Sequence, residues 1–234
     1  DFIPGKEILT HNIHKKLYRA GIHSTQYFVV QNSFQQKALR ENYHKNSLLL
    51  PNIWLNQDTE KSNKLKYDAI WVSHMRKLKR AEWFVELAKT KPNHHFAIVG
   101  GANERDYYNE IDKACSLDSN IDFIGAQPFE TVNKLMSKSR MLVCTSEFEG
   151  FPNTFLQAWA QGLPVISTVD PNGIFQKHHI GTIIQSLDDL KVAFDQLINN
   201  DDLYKEYQKN VFLYFRNNHS AQTYYEKLTQ YIEI

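Results

Sequence analysis

From Asp68 to about Ile184 the chain repeats one pattern, a short apolar run of strand length followed by a segment with helical spacing. The apolar runs fall at about 68 to 73, 94 to 99, 121 to 124, 141 to 145, 164 to 167 and 181 to 184. Few folds accept such a string. Strands that alternate with helices return in the same direction through right-handed crossovers, and the product is a parallel sheet with helices on both faces. The punctuation agrees with this reading. Pro128 suits a first helical turn, Asn153 an N-cap, and Gly162 a stop before Pro164 opens the next strand. After Asp188 the spacing of Leu190, Phe194 and Leu197 predicts helix to the end of the chain. The fold class is therefore α/β, a Rossmann-like doubly wound parallel sheet with a helical C-terminus.

Upstream the period differs. Leu9, Ile13 and Leu17 recur every four residues and predict a helix over roughly 6 to 20, stopped at Gly21. Tyr27 to Gln31 reads as a strand, Phe34 to Tyr43 as a helix opened by Ser33, and Ser47 to Leu50 as a further apolar run closed by Pro51-Asn52. The polar stretch from Asn56 to Lys66 reads as a linker.

Charge narrows the choice of partners. With 27 Lys and Arg against 26 Asp and Glu, no field is strong enough to hold a polyanion, so nucleic acid is not expected. No run of about eighteen apolar residues is present, so no transmembrane segment is expected. Cys115 and Cys144 lack metal spacing and suit a reducing compartment. His11 and His14, His94-His95 and His178-His179 lack the further ligands of a structural zinc site, and no metal is assigned. The chain opens on Asp1-Phe2-Ile3-Pro4 and reads as a piece of a longer polypeptide.

In a doubly wound sheet of order 3-2-1-4-5-6 the first and fourth strands are neighbours, and ligands bind beyond their carboxyl ends. Here the loop after the first strand is the cationic Ser73-His74-Met75-Arg76-Lys77-Leu78-Lys79-Arg80. The loop after the fourth is Ser146-Glu147-Phe148-Glu149-Gly150-Phe151-Pro152-Asn153, which opens a helix. Amides and the positive dipole end of that helix suit a diphosphate. Arg76 and Lys79 suit the charge that grows on a departing nucleoside diphosphate. Gly150 permits close backbone approach, Glu149 offers acceptors to sugar hydroxyls, and Gln157, inside the helix, can reach a ribose. A nicotinamide reading fails for want of G-x-G-x-x-G after the first strand. Glu147 and Glu149, two apart on one loop, do not flank a bond as glycosidase carboxylates do.

The segment Glu149-Gly150-Phe151-Pro152-Asn153-Thr154-Phe155-Leu156-Gln157-Ala158-Trp159-Ala160-Gln161-Gly162-Leu163-Pro164-Val165-Ile166 closely resembles the signature of glycosyltransferase family 4. Likeness extends from about Tyr18 to the C-terminus, with Leu50-Pro51-Asn52 as the crossover and Trp71-Val72-Ser73 through Lys79-Arg80 as the phosphate-binding strand and loop. The resemblance implies the donor half of a retaining, metal-independent hexosyltransferase of GT-B architecture. It divides the chain into 1–66, the remnant of an acceptor domain with its linker; 67–219, the donor domain; and 220–234, a helix packing toward the absent domain.

The resemblance also assigns roles. Arg76, Lys79 and Glu149 become the catalytic set, with Ser73, His74, Gly125, Gly150, Phe151, Pro152, Asn153, Thr154 and Gln157 as donor contacts. The family's usual arginine falls at His74, and Arg76 is preferred because a guanidinium keeps its charge. Gln157 stands where relatives carry a second glutamate, with fewer acceptor sites for ribose hydroxyls. The expected ligand is a UDP-, GDP- or ADP-sugar, with no cofactor, and the acceptor is a glycan or lipid-linked species such as a growing surface polysaccharide. The full-length protein is expected in the cytoplasm, peripheral at the inner membrane face, and the isolated piece is expected to bind nucleotide while transferring little or no sugar. Two alternatives remain: a nucleotide-sugar epimerase of the same architecture, and a non-catalytic nucleotide- or partner-binding subunit.

Overall fold

The computed structural model describes residues 2–5, 9, 11–53 and 64–232. The chain forms two compact units, one of Asp1–Ile53 with His219–Ile234 and the other of Trp54–Asn218.

In the first unit, helix α1 (Asn12–Ser24) runs past Gly21 and ends where Thr25 turns extended. Of the helix expected over 6 to 20, residues 6–8 and 10 lie outside the described residues. Strand β1 (Val29–Val30) pairs in parallel with β2 (Leu48–Leu49), and α2 (Ser33–Tyr43) connects them. Both strands are shorter than the apolar runs that announced them. Helix α2 is capped one residue earlier than expected, by Asn32, whose side-chain oxygen accepts from the Gln35 amide at 2.8 Å. Ile22, Phe28, Val30, Leu39 and Tyr43 make this unit's small core. A C-terminal helix, Ala221–Ile232, belongs to the same unit; buried His219 just before it donates from Nδ1 to the Asn52 carbonyl at 2.9 Å, and Tyr231 meets Tyr27 edge to face. Of the linker expected at 56 to 66, residues 56–63 lie outside the described residues.

The second unit carries the alternating pattern. Its elements are β3 (Tyr67–Val72), α3 (Ala81–Lys89), β4 (Phe96–Val99), α4 (Arg105–Cys115), β5 (Ile121–Gly125), α5 (Phe129–Ser137), β6 (Ser139–Cys144), α6 (Asn153–Ala160), β7 (Val165–Ser167), α7 (Ile174–His178) and β8 (Gly181–Ile183), then helices α8 (Leu187–Asn199) and α9 (Asp201–Asn218). The strands are all parallel in the order β5-β4-β3-β6-β7-β8, which is the order 3-2-1-4-5-6. The chain therefore winds outward twice from the β3/β6 pair, and the sheet is doubly wound.

Alternation along each strand sorts side chains to two faces. Trp71, Ile98, Val143 and Ile166 point to the side covered by α3, α4 and α8, with Phe84, Ile111 and Phe194 buried among them. Ile70, Ala97, Leu142 and Val165 point to the other, with Met136, Phe155, Trp159 and Tyr214 from α5, α6 and α9. Each face buries several large side chains completely, worth about 1.5–3 kcal/mol apiece. The helical C-terminus expected after Asp188 is present and consists of separate helices. At Asn200 the backbone leaves helical geometry, and its side-chain oxygen accepts from the Leu203 amide at 3.0 Å. A polar residue that caps the next helix competes with continuation of the last.

Candidate functional site

Because β3 and β6 are neighbours from which the winding departs in opposite directions, their following loops part and leave a crevice at the carboxyl ends. The two loops are stitched together below it. The Glu147 amide donates to the Leu78 carbonyl at 2.8 Å, and Arg80 Nε to the Thr145 carbonyl at 2.7 Å. Thr145, wholly buried, accepts from Trp71 Nε1 at 3.0 Å and directs its hydroxyl to the carbonyls of Lys79 and Arg80 at 2.7 and 2.8 Å. A 3-10 turn over Lys77–Lys79 ends at Arg80, whose positive φ of 49° turns the chain into α3.

A cleft of about 460 Å³ occupies the crevice, within the range of small-ligand sites. Among the described residues it is lined by Ser73 and His74 on one side, Glu149 and Phe151 to Thr154 on another, and Gly100, Gly101, Ala126 and Gln127 beyond them. Helix α6 starts at this wall. Pro152 stands at its N-cap position and supplies no side-chain acceptor, so first-turn amides and the positive dipole end lie beside the cleft. Asn153 was expected as the cap; it is instead the first helical residue.

Glu149 meets Lys79 across the two loops. Their ammonium and carboxylate form an ion pair whose side chains are 15% and 20% exposed, and Ser146 Oγ donates to the same carboxylate oxygen at 2.9 Å. Lys79 thus reaches the cleft through Glu149 and does not itself line it.

The residues singled out from the sequence divide in a physically intelligible way. Ser73, His74, Glu149, Phe151, Pro152, Asn153 and Thr154 line the cleft together. Gly150 links two lining residues without lining the cleft itself, and Gly125, at φ +72°, turns the chain after β5 so that Ala126 and Gln127 do. Arg76 is exposed and outside the lining, whereas its rival His74 is inside it. The reason lies in Met75, buried and tied to the loop after β4: its amide donates to the Gly101 carbonyl at 2.9 Å and its carbonyl accepts from the Glu104 amide at 3.0 Å. That pairing carries the chain away from the Glu149 loop before Arg76, and the 3-10 turn brings it back at Lys79. Gln157 is buried against α5, donating to Asn133 Oδ1 at 3.2 Å, and does not line the cleft.

Sequence reasoning missed the floor of the site. Gly100 admits no side chain, since a Cβ there would stand 1.9 Å from the Ser73 carbonyl oxygen. The Gly100-Gly101 pair at the end of the second strand was the available signal. The cysteines are core residues: burial pushes the Cys115 thiol up to about 12 and raises Cys144 as well, so neither is a thiolate nucleophile at neutral pH. Among the described residues, no helix is long and apolar enough to cross a membrane.

Residues 52–213 match the protein family described as Glycosyl transferases group 1. The chain is similar to an uncharacterized glycosyltransferase of Haemophilus influenzae, at 27% identity over 123 residues covering 50% of this chain and 34% of that protein. It is also similar to the lipopolysaccharide 1,6-galactosyltransferase of Escherichia coli, at 32% identity over 83 residues covering 35% and 23%. A solved structure of a mutant S. aureus TarM in complex with fondaparinux, α-GlcNAc-glycerol and UDP superposes with a TM-score of 0.76 at 19% identity, covering 94% of this chain and 47% of that one. The matches thus span about a third or less of these curated relatives and under half of the solved chain.

Proposed function

The chain belongs to the group 1 glycosyl transferases, and from that membership we propose that its cleft binds a nucleoside diphosphate sugar, the donor in a retaining hexosyl transfer. The donor is a UDP-, GDP- or ADP-sugar. The observation that carries this reading is the convergence, at one crevice, of a helix N-terminus without a side-chain cap, the Glu149 carboxylate with the Lys79 ammonium paired to it, and the His74 imidazole in the lining. Each suits one part of such a donor. The amides at Asn153 and Thr154 and the helix dipole receive phosphate oxygens. Lys79 and His74 face the charge that develops on the diphosphate as it leaves, so the reading assigns that task to protein groups and calls for no metal. Glu149 accepts from hydroxyls of the transferred sugar, and the Gly100-Gly101 floor lets the ligand approach the backbone.

The acceptor is a glycan or lipid-linked species such as a growing surface polysaccharide, a reading supported by the lipopolysaccharide galactosyltransferase among the relatives. On this view the full-length protein works in the cytoplasm, peripheral at the inner membrane face, and further residues contribute the acceptor side. The present chain then binds donor and turns over little or none. The test is a thermal-stability panel with UDP, GDP and ADP and with their sugar conjugates. A ligand at one hundred times its dissociation constant stabilises by about 2.7 kcal/mol, and Lys79→Ala is expected to abolish the shift. Absence of a shift with all three nucleotides and with their sugar conjugates, or a shift that survives in Lys79→Ala, refutes this reading.

A further inference from the structure

The ammonium assigned to the diphosphate and the carboxylate assigned to the sugar neutralise one another. Both are largely withdrawn from solvent, at 15% and 20% exposure, so this is not a screened surface pair. The carboxylate is also held from below by Ser146, which is 3% exposed and whose own carbonyl accepts from Thr168 Oγ1 at 2.6 Å. Backbone bonds between the two loops, Glu147 to Leu78 among them, do not depend on the pair. Separating Lys79 from Glu149 therefore requires side-chain rotation and no loop opening.

An anion that draws Lys79 away leaves Glu149 uncompensated in a confined site, facing a second negative charge. A bare nucleoside diphosphate has nothing to offer that carboxylate in return. A nucleotide sugar does, because hydroxyl donors on the sugar satisfy Glu149 as Lys79 swings to the phosphates. Resting on the donor-site reading above, we propose that the Lys79–Glu149 pair is a specificity latch: it couples diphosphate binding to the presence of a sugar, and Ser146 is a positioning residue that keeps the carboxylate where the sugar must meet it. The latch favours the substrate over the nucleoside diphosphate product, and recapture of Lys79 by Glu149 helps expel that product after transfer.

The test is calorimetric titration of the 234-residue chain with UDP and UDP-glucose, GDP and GDP-mannose, and ADP and ADP-glucose, in the wild type, Glu149→Gln and Ser146→Ala. For the nucleotide that binds, the wild type is expected to prefer the sugar conjugate. Glu149→Gln should tighten the bare diphosphate by about tenfold, the scale of one charge-assisted contact, and weaken the conjugate, so that the preference collapses. Ser146→Ala should narrow the ratio of the two affinities by a few-fold in the same direction; general loosening of the site would weaken both ligands together and leave the ratio unchanged. Should Glu149→Gln not fold, the Ser146→Ala ratio decides. Nucleotide binding in which Glu149→Gln leaves the bare diphosphate unchanged, or weakens both ligands equally, overturns the latch while sparing the donor site. No binding of any nucleotide by the wild type overturns the donor-site reading and the latch with it.

Discussion

Thr145→Val replaces one atom where the core of the sheet meets the site. The threonine hydroxyl accepts from the indole of Trp71 at 3.0 Å and donates toward the carbonyls of Lys79 and Arg80, all without contact with solvent at Thr145. Valine keeps the shape and removes both functions. The indole N–H is left buried without an acceptor, which costs about 1–3 kcal/mol, and one carbonyl loses its donor for about 1 kcal/mol more. Since one hydroxyl proton serves the two carbonyls, the donor side is counted once, and the expected destabilisation is about 2–4 kcal/mol. Thr145→Ser retains the hydroxyl and loses only a methyl, for about 1 kcal/mol. Urea unfolding followed by tryptophan fluorescence and by far-UV circular dichroism gives both values, provided the two probes coincide. Nucleotide affinity should also fall in Thr145→Val, because the main chain that aims Lys79 loses its anchor. A Thr145→Val protein within about 0.5 kcal/mol of Thr145→Ser would refute the claim that this hydroxyl ties the loop to the sheet.

Gly100→Ala forces a Cβ to within 1.9 Å of the Ser73 carbonyl oxygen, a backbone atom that cannot yield by rotation; a loss of about 1–3 kcal/mol or more in urea unfolding is expected, together with a weaker nucleotide site. Burial pushes His219 down to about 4, so between pH 6.5 and about 4 the unfolded chain takes up a proton that the folded chain refuses. Stability held at neutral pH is therefore lost as pH falls, by about 2 kcal/mol at pH 5, and His219→Gln should flatten that slope when urea unfolding is followed by circular dichroism at both pH values. His74→Ala is expected to weaken nucleoside diphosphate binding about tenfold in calorimetric titration, whereas Arg76→Ala, outside the cleft, should change it by less than about twofold.

Helix boundaries show where local reading succeeds. Gly162, expected as a stop, lies at φ +68° just past α6 before Pro164 leads into β7. That signal acts over a few residues. Gly21 misled because glycine only weakens a helix, and burial of Ile22 outweighs that cost. Asn200 interrupts the C-terminal helices through a side-chain bond that helical periodicity does not register. The strands of the first unit were overestimated because an apolar run states burial and not pairing.

For the site, the sequence by itself called for a crevice at the carboxyl ends of a doubly wound sheet. Crossover handedness and the strand-helix alternation leave a handful of strand orders, and the one expected and found, 3-2-1-4-5-6, makes neighbours of the loops after Val72 and Cys144. The helix start at Pro152 follows from residues adjacent in the chain. Only the tertiary structure decided which side chains enter. It put His74 in the wall and Arg76 outside, buried Gln157 against Asn133, and joined Lys79 to Glu149 across 70 residues of sequence. These outcomes depend on where a loop is tied, as Met75 is tied to Gly101, and on side-chain directions set by packing between distant segments. Period and propensity describe a residue's neighbours along the chain and are silent about neighbours across it.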